Sequence, residues 1–343
     1  MKTAGLHELE PAAEWRAGDI ADPDAWTLRL SEADHAELDA ALAVAKHKSA
    51  DPLELTRGDF PLDRLATKLG AVVDTLLDGR GFTRIAALQT ARYDDDDLTL
   101  LYWGIGLHVG EPWAQNKHGH VLGDVTDQGK TIDDPTVRGN ELGGVALDYH
   151  TDGSDLVGLL CLRTARRGGL SCVANAVAIH NHLVRERPDL AAELYRPQPY
   201  DFRGEQAPGG RPWYAVPVFT RWGDRLFVRV IRPYILASQR HAEAPRLTDL
   251  AREALQWLDD EAEGGRYSVL MGFEPGDMQF VNNFHVLHGR TAYQDDRPSG
   301  RVRHLKRLWL ETEVLADRPP YFRKTIDSHW NRKPAISRLD AVG

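Results

Sequence analysis

Hydrophobic positions along the chain change their period once, near residue 140. Before that point helical spacing dominates. Ser31-Glu32-Ala33-Asp34 has the form of a capping box with Asp in place of Glu, and an Ala-, Leu- and Glu-rich stretch follows to His47, which predicts a helix. Leu65, Leu69, Val72, Val73, Leu76 and Leu77 predict a second helix over Leu62–Leu77, ended by Asp78-Gly79-Arg80-Gly81. Phe82–Tyr93 reads as a strand and Leu98–Val109 as a third helix. Asp94 to Asp97 suit a solvated turn or a helix N-terminus, where carboxylates are favoured. Gly110–Arg138 reads as a long loop with short strands.

From Gly143 onward, short apolar or alternating segments are separated by Gly and Pro turns. The strands expected are Ala146–Asp152, Val157–Arg163, Leu170–Asn175, Trp213–Phe219, Arg225–Val230, Tyr267–Leu270, Met278–Asn282, Val286–His288 and Leu305–Glu311. Helical inserts are expected at 176–195 and 248–263. The pattern implies a mainly β, α+β fold: an antiparallel jelly roll, or double-stranded β-helix of cupin type, with flanking helices. The division expected is a helical lead-in over 1–80, a jelly-roll domain over 81–315 and a tail over 316–343, with the first 25 residues irregular.

Composition narrows the function. The chain has 343 residues, 42% of them hydrophobic, enough for a sizeable core. A net charge of -9 with mixed signs argues against a nucleic-acid binder that depends on a broad basic surface. No apolar run approaches the roughly 18 residues of a membrane span, and Met1 to Trp15 carries no apolar signal core. Cys161 and Cys172 form no Cys-x-x-Cys pair, which suits buried thiols in a reducing compartment. A cytoplasmic protein acting on a small molecule is the expectation.

The chemistry centres on Tyr149-His150-Thr151-Asp152. In a strand, His150 and Asp152 would share a face and supply two legs of the 2-His-1-carboxylate arrangement that holds non-haem Fe(II). A second histidine must come from elsewhere. His118 and His120 lie in a polar loop, and His180 and His182 face apart on a helix. His285 and His288 end an apolar strand, and His288 stands directly before Gly289-Arg290-Thr291. In the last strand Arg303, Leu305, Arg307 and Trp309 share a face that looks core-directed. A buried arginine needs a carboxylate, from the protein or from a bound cosubstrate.

Taken in order, His150-x-Asp152, Gly168-Gly169-Leu170-Ser171, Asn282-Asn283 with His288-Gly289-Arg290-Thr291, and Arg303-x-x-x-Arg307 resemble the Fe(II)/2-oxoglutarate-dependent dioxygenases. Within these the chain resembles the taurine dioxygenase (TauD/TfdA), clavaminate synthase-like group, from the residue-80s to about 312. The resemblance implies that His150, Asp152 and His288 are iron ligands and that Arg307 clamps the distal carboxylate of 2-oxoglutarate. Ser171, where the family usually has Thr, would bond the same carboxylate, with Arg303 nearer the iron or the substrate. The cofactors implied are Fe(II), 2-oxoglutarate and O2, with succinate and CO2 as coproducts. A carboxylate at position 152 implies hydroxylation or another C–H oxidation rather than halogenation.

Family position puts the substrate near Trp103–Asn116, Asp148–Tyr149 and 202–232, with Asn116, Tyr149, Asp155 and Arg232 as candidate contacts. A homo-oligomer is compatible with the size. Two other readings stay open: a metal-dependent cupin isomerase or hydrolase using Zn or Mn, and a non-catalytic jelly-roll binding protein. The inward arginines and Gly-Gly-Leu-Ser disfavour the first, and the intact His, Asp, His set disfavours the second.

Overall fold

A computed structural model of the protein describes residues 6–9, 14–131, 133–319 and 334–336. Two β-sheets carry the architecture. The larger runs in the order Thr27–Arg29, Phe82–Ala86, Met278–Asn282, Leu156–Arg163, His304–Glu311, His120–Thr126 and Ala335–Ile336, with Glu111–Pro112 paired to the far end of His304–Glu311. The smaller runs Ser268–Met271, Ser171–Asn175, Val286–Arg290, Leu147–His150, all antiparallel. Neighbours in each sheet come from distant parts of the chain, as in a jelly roll. The mainly β fold with flanking helices is therefore the one observed.

The helices before the sheets begin where their caps predict. Ser31 accepts from the Asp34 amide while Asp34 accepts from the Ser31 amide, opening Glu32–Lys48. Asp94 accepts from the Asp97 amide and opens Asp95–Val109, so the acidic run is a helix N-terminus. These helices and Arg64–Asp78 pack with the outer face of the larger sheet in one apolar cluster that includes Leu69, Tyr102, Phe280 and Leu308. The helices Ala176–Glu186, Pro188–Leu194 and Asp249–Glu263 cover the smaller sheet around Val177, Leu255 and Leu287. Among the described residues no helix is long and apolar enough to cross a membrane.

Several boundaries differ from expectation. The strand at Phe82 stops at Ala86, because Ala87 takes a left-handed φ of 70° that no strand accommodates. The region 110–138 is a loop with short strands, as expected, but one of them, His120–Thr126, is a seven-residue strand inside the larger sheet. Glycine and aspartate there masked its alternation. The insert at 176–195 is two helices, since Arg187 leaves helical geometry immediately before Pro188. A short helix, Arg232–Ser238, was not anticipated. The lead-in contains two 3-10 turns, Ala17–Ile20 and Pro23–Trp26, while residues 1–5, 10–13 and most of the expected tail lie outside the described residues.

Candidate functional site

The strand carrying His150 ends at that residue, two short of the expected Asp152. Asp152 is instead held by the loop that follows. The Thr151 amide donates to the Val230 carbonyl at 2.9 Å, and the Val230 amide donates to the Thr151 hydroxyl at 3.1 Å. The Asp152 amide donates to Asn283 Oδ1 at 3.0 Å, and Asn283 in turn donates to the Ser154 carbonyl. Asp152 thus meets His150 because neighbouring elements fix the loop, not because a strand alternates.

His288 stands directly across the sheet from His150, with ring centroids 4.4 Å apart. His150 Nδ1 lies 2.8 Å from the Asp148 carbonyl, which leaves Nε2 free to face the pocket. One ligand atom from each of His150, Asp152 and His288 lies within 4.8 Å of the others, the only such His/Cys/Asp/Glu group among the described residues. Burial, then the neighbouring His288, push His150 down to about 4, so its imidazole is neutral, the form that binds a metal. Burial alone would raise Asp152, but Arg307 and the two imidazoles outweigh it and hold the carboxyl well below its ordinary range. Asp152 Oδ2 also accepts from Trp309 Nε1 at 3.0 Å and Arg307 Nη1 at 3.3 Å. Two neutral imidazoles and one ionised carboxylate fit a divalent iron.

The group opens on a cavity of about 270 Å³. Arg303 and Arg290 line it and sit over the Tyr293 ring, at 5.4 and 4.7 Å from its centroid, and Ser171 lines the same cavity. Both arginines are buried. Arg303 Nη1 and Arg290 Nε and Nη1 have no hydrogen-bond partner among the described residues, and neither guanidinium has a carboxylate within ion-pair distance there. Burial, then the like charge of Arg290, push Arg303 down to about 10. Gly169, at φ 74°, lets the backbone approach Arg303: a Cβ there would stand 2.9 Å from Nε. Buried, unpaired guanidiniums are costly, and an incoming carboxylate would relieve them.

Arg138, Arg203, Tyr234 and Arg307 line the same cavity. Arg307 is not free: Nε donates to Gln115 Oε1 at 2.8 Å and Nη1 to Asp152. Arg138 donates to the Gln115 carbonyl at 2.7 Å. Arg203 lies 4.9 Å from the Tyr234 ring centroid, and its Nε is buried without a partner. Its backbone is left-handed, at φ 52°, a conformation that costs a residue with a side chain about 1–3 kcal/mol.

His150, Asp152, His288, Ser171, Arg303 and Arg307 therefore meet in one cavity. The four expected substrate contacts do not line it. Asn116 accepts from the His118 and His120 amides and shapes its own loop. Tyr149 is buried in the cluster beneath the smaller sheet. Asp155 is fully buried and paired with Arg318 at 2.7 Å. Arg232 pairs with Asp259 at 2.9 Å. The other histidines have local partners: His180 meets Tyr195 and His182 meets Glu261. Sequence reasoning missed Asn283 and Gln115 as supports, and Arg138, Arg203 and Tyr234 as walls. The Asn282-Asn283 pair was a usable signal, Gln115 and Arg203 fall within the expected Trp103–Asn116 and 202–232 regions without being singled out, and Arg138 and Tyr234 had none.

The model of the family "Taurine catabolism dioxygenase TauD, TfdA family" matches residues 48–309. The chain is 30% identical to FR-33289 synthase of Streptomyces rubellomurinus over 329 residues, covering 94% of each. Its fold is similar to that of an asparagine oxygenase solved with Fe(II), 3-hydroxyasparagine and succinate (TM-score 0.63, 20% identity, 86% of this chain and 97% of that one). It is similar also to the non-haem iron oxygenase OrfP solved with Fe and α-ketoglutaric acid (TM-score 0.60, 19% identity, 84% and 94%).

Proposed function

The chain belongs to the TauD/TfdA dioxygenase family and is an Fe(II)/2-oxoglutarate-dependent oxygenase, and from that premise we propose how its residues divide the work. His150, Asp152 and His288 hold the iron. Arg303 and Ser171, with Arg290 beside them, take the distal carboxylate of 2-oxoglutarate. The observation that carries this is the buried Arg303 guanidinium, which faces the cavity without a carboxylate partner among the described residues. Arg307, first expected in that role, already spends donors on Asp152 and Gln115 and acts as a positioning residue for the metal carboxylate.

When bound, iron with 2-oxoglutarate and O2 supplies oxidative decarboxylation to succinate and CO2, coupled to oxidation of a substrate C–H bond. The chain's own residues do the rest. Asn283 and Trp309 fix Asp152, the Asp148 carbonyl orients His150, and the apolar walls Val125, Val157, Leu159 and Leu305 exclude water. The oxidised substrate is a small molecule, limited by the cavity. Two buried free cysteines are consistent with a reducing, cytoplasmic setting.

The experiment is anaerobic addition of Fe(II) and 2-oxoglutarate, followed by air. The visible absorption band of a chelated keto acid and subsequent succinate formation are expected. No band and no succinate would overturn the reading.

A further inference from the structure

Resting on that reading, we propose that Arg318 is a positioning residue for the iron site: it grips Asp155, and through Asp155 the segment beyond the last core strand holds the loop that carries Asp152. Arg318 lies outside the residues 48–309 matched by the family model, so membership of the family gives it no part in the site. The loop runs between the strands Leu147–His150 and Leu156–Arg163. It presents the one metal ligand that no strand carries, since His150 and His288 both lie in strands.

Asp155 is fully buried and Arg318 nearly so. The guanidinium spans the carboxylate: Nη1 stands 2.7 Å from Oδ1, and Nη2 donates to Oδ2 at 2.8 Å. Arg318 is itself held, since Nε donates to the Leu315 carbonyl at 2.7 Å and Nη1 to Glu311 at 3.2 Å. The Thr312 amide also donates to Asp155 Oδ2, at 2.8 Å. From Asp155 the path to the metal ligand is short. Its carbonyl accepts from the Asn283 amide at 3.0 Å, and Asn283 Oδ1 accepts from the Asp152 amide at 3.0 Å. Trp309 donates to Asp152 Oδ2, and Gly153 lies against its ring, where a Cβ would stand 3.2 Å from the indole. One stretch of chain, 309–318, therefore grips the loop at both ends.

Stability alone gives no reason for this pair. Taking two charges out of water costs much of what their attraction returns, and apolar side chains of similar volume do as well or better. What a two-point fork adds is direction, because a guanidinium facing both oxygens fixes the plane of the carboxylate as well as its place. The iron site uses that direction. Partners that orient a metal ligand from outside typically govern metal affinity by roughly 10–100-fold. Asp152 has no strand to orient it, so its loop depends on such partners.

The test is made on the full chain without oxygen, at pH 8. Burial outweighs Arg318 and pushes the Asp155 carboxyl up to about 7, so the pair is ionised there. Arg318→Ala alone would strand a buried carboxylate and confound stability with position. Asp155→Asn combined with Arg318→Met leaves neither charge of the pair and keeps an acceptor for the Thr312 amide. Iron affinity, read by competition with a chelator, should weaken about tenfold in this double variant. It should weaken about fourfold in Arg318→Lys, which keeps the charge and loses the fork. The 2-oxoglutarate concentration that half-forms the keto-acid band at saturating iron should stay within about twofold of the wild type in both. In the metal-free double variant, amide hydrogen exchange should rise over residues 148–158 and not over the helix Asp249–Glu263.

Absence of the keto-acid band in the wild type would sink the reading of the site itself. A normal wild-type band with iron affinity unchanged within about twofold in the double variant, or in Arg318→Lys where the double variant does not fold, would overturn this proposal alone. Exchange that rises equally in the loop and in the helix would overturn it too, because that marks a pair that supports the fold as a whole and not the loop.

Discussion

Arg303 enters the cavity from the residue just before a strand that is paired on both sides, whereas Arg138 and Arg203 enter it from connections between strands. The strand His304–Glu311 lies between Leu156–Arg163 and His120–Thr126, with a register shift between His304 and Leu305, and Arg303 is held at its entry by the Thr126 hydroxyl, which donates to the Arg303 carbonyl, and by Asp295, which accepts from the Arg303 amide. Arg138 sits between strands at the opening turn of a 3-10 helix, and Arg203 sits in the turn that joins Pro197–Asp201 to Trp213–Pro217. Arg303 thus stands at the edge of the sheet, while the wall with Arg138 and Arg203 draws also on a helix for Tyr234 and on the strand itself for Arg307. Loops can change residue without disturbing the jelly roll, so on the proposed division substrate choice would follow Arg138 and Arg203 and cosubstrate binding would follow Arg303.

The largest effect should come from the metal site itself. Asp152→Ala should lose iron, measured by metal content after desalting. Turnover should then fall beyond the roughly 10–100-fold typical of removing an outer-sphere partner. Next, Arg303→Ala should raise the 2-oxoglutarate concentration needed for half-maximal succinate formation by about 10- to 100-fold, the worth of one or two charge-assisted hydrogen bonds, with iron affinity little changed. If Arg303 and the arginines of the connections were interchangeable, Arg203→Gln would do the same, and it should not.

A smaller effect is expected at the supports. Asn283→Ala or Trp309→Phe removes a bond to Asp152 and should weaken iron binding by about tenfold, read by competition with a chelator, while the 2-oxoglutarate requirement holds. The smallest effect on ligands should come from Arg232→Ala, because Arg232 lies outside the cavity. It should lower stability by about 1–3 kcal/mol in urea unfolding, since Asp259 is left buried without its partner, and shift neither ligand's binding. A change in substrate binding there would restore Arg232 to the site.

The strand-borne half of the site was legible in the sequence, and the reason is periodicity. Alternation in Arg303–Trp309 put Arg303 and Arg307 on one face, and both do line the cavity. His288 was legible because an apolar strand delivers it to a Gly turn, and it does face His150. Alternation could not tell which arginine is free. That depends on Gln115, which reaches Arg307 Nε across 192 residues of chain, and on the two-residue overrun of Asp152 past its strand. The four expected substrate contacts lie off the cavity for one reason. Nearness in sequence to His150 or to a loop says nothing about direction, and Asp155 turns to a buried partner, Arg318, 163 residues away. Arg203 lies within the expected 202–232 region but was not singled out, because its place depends on a left-handed backbone that glycine would ordinarily supply.

The division of labour between the arginines is tested most directly by titrating 2-oxoglutarate into Fe(II)-loaded protein without oxygen, following the keto-acid absorption in wild type, Arg303→Gln and Arg307→Gln. The midpoint should move by about 10- to 100-fold in Arg303→Gln and by no more than about threefold in Arg307→Gln once iron is saturating. The reverse order would return the distal carboxylate to Arg307 and contradict the account.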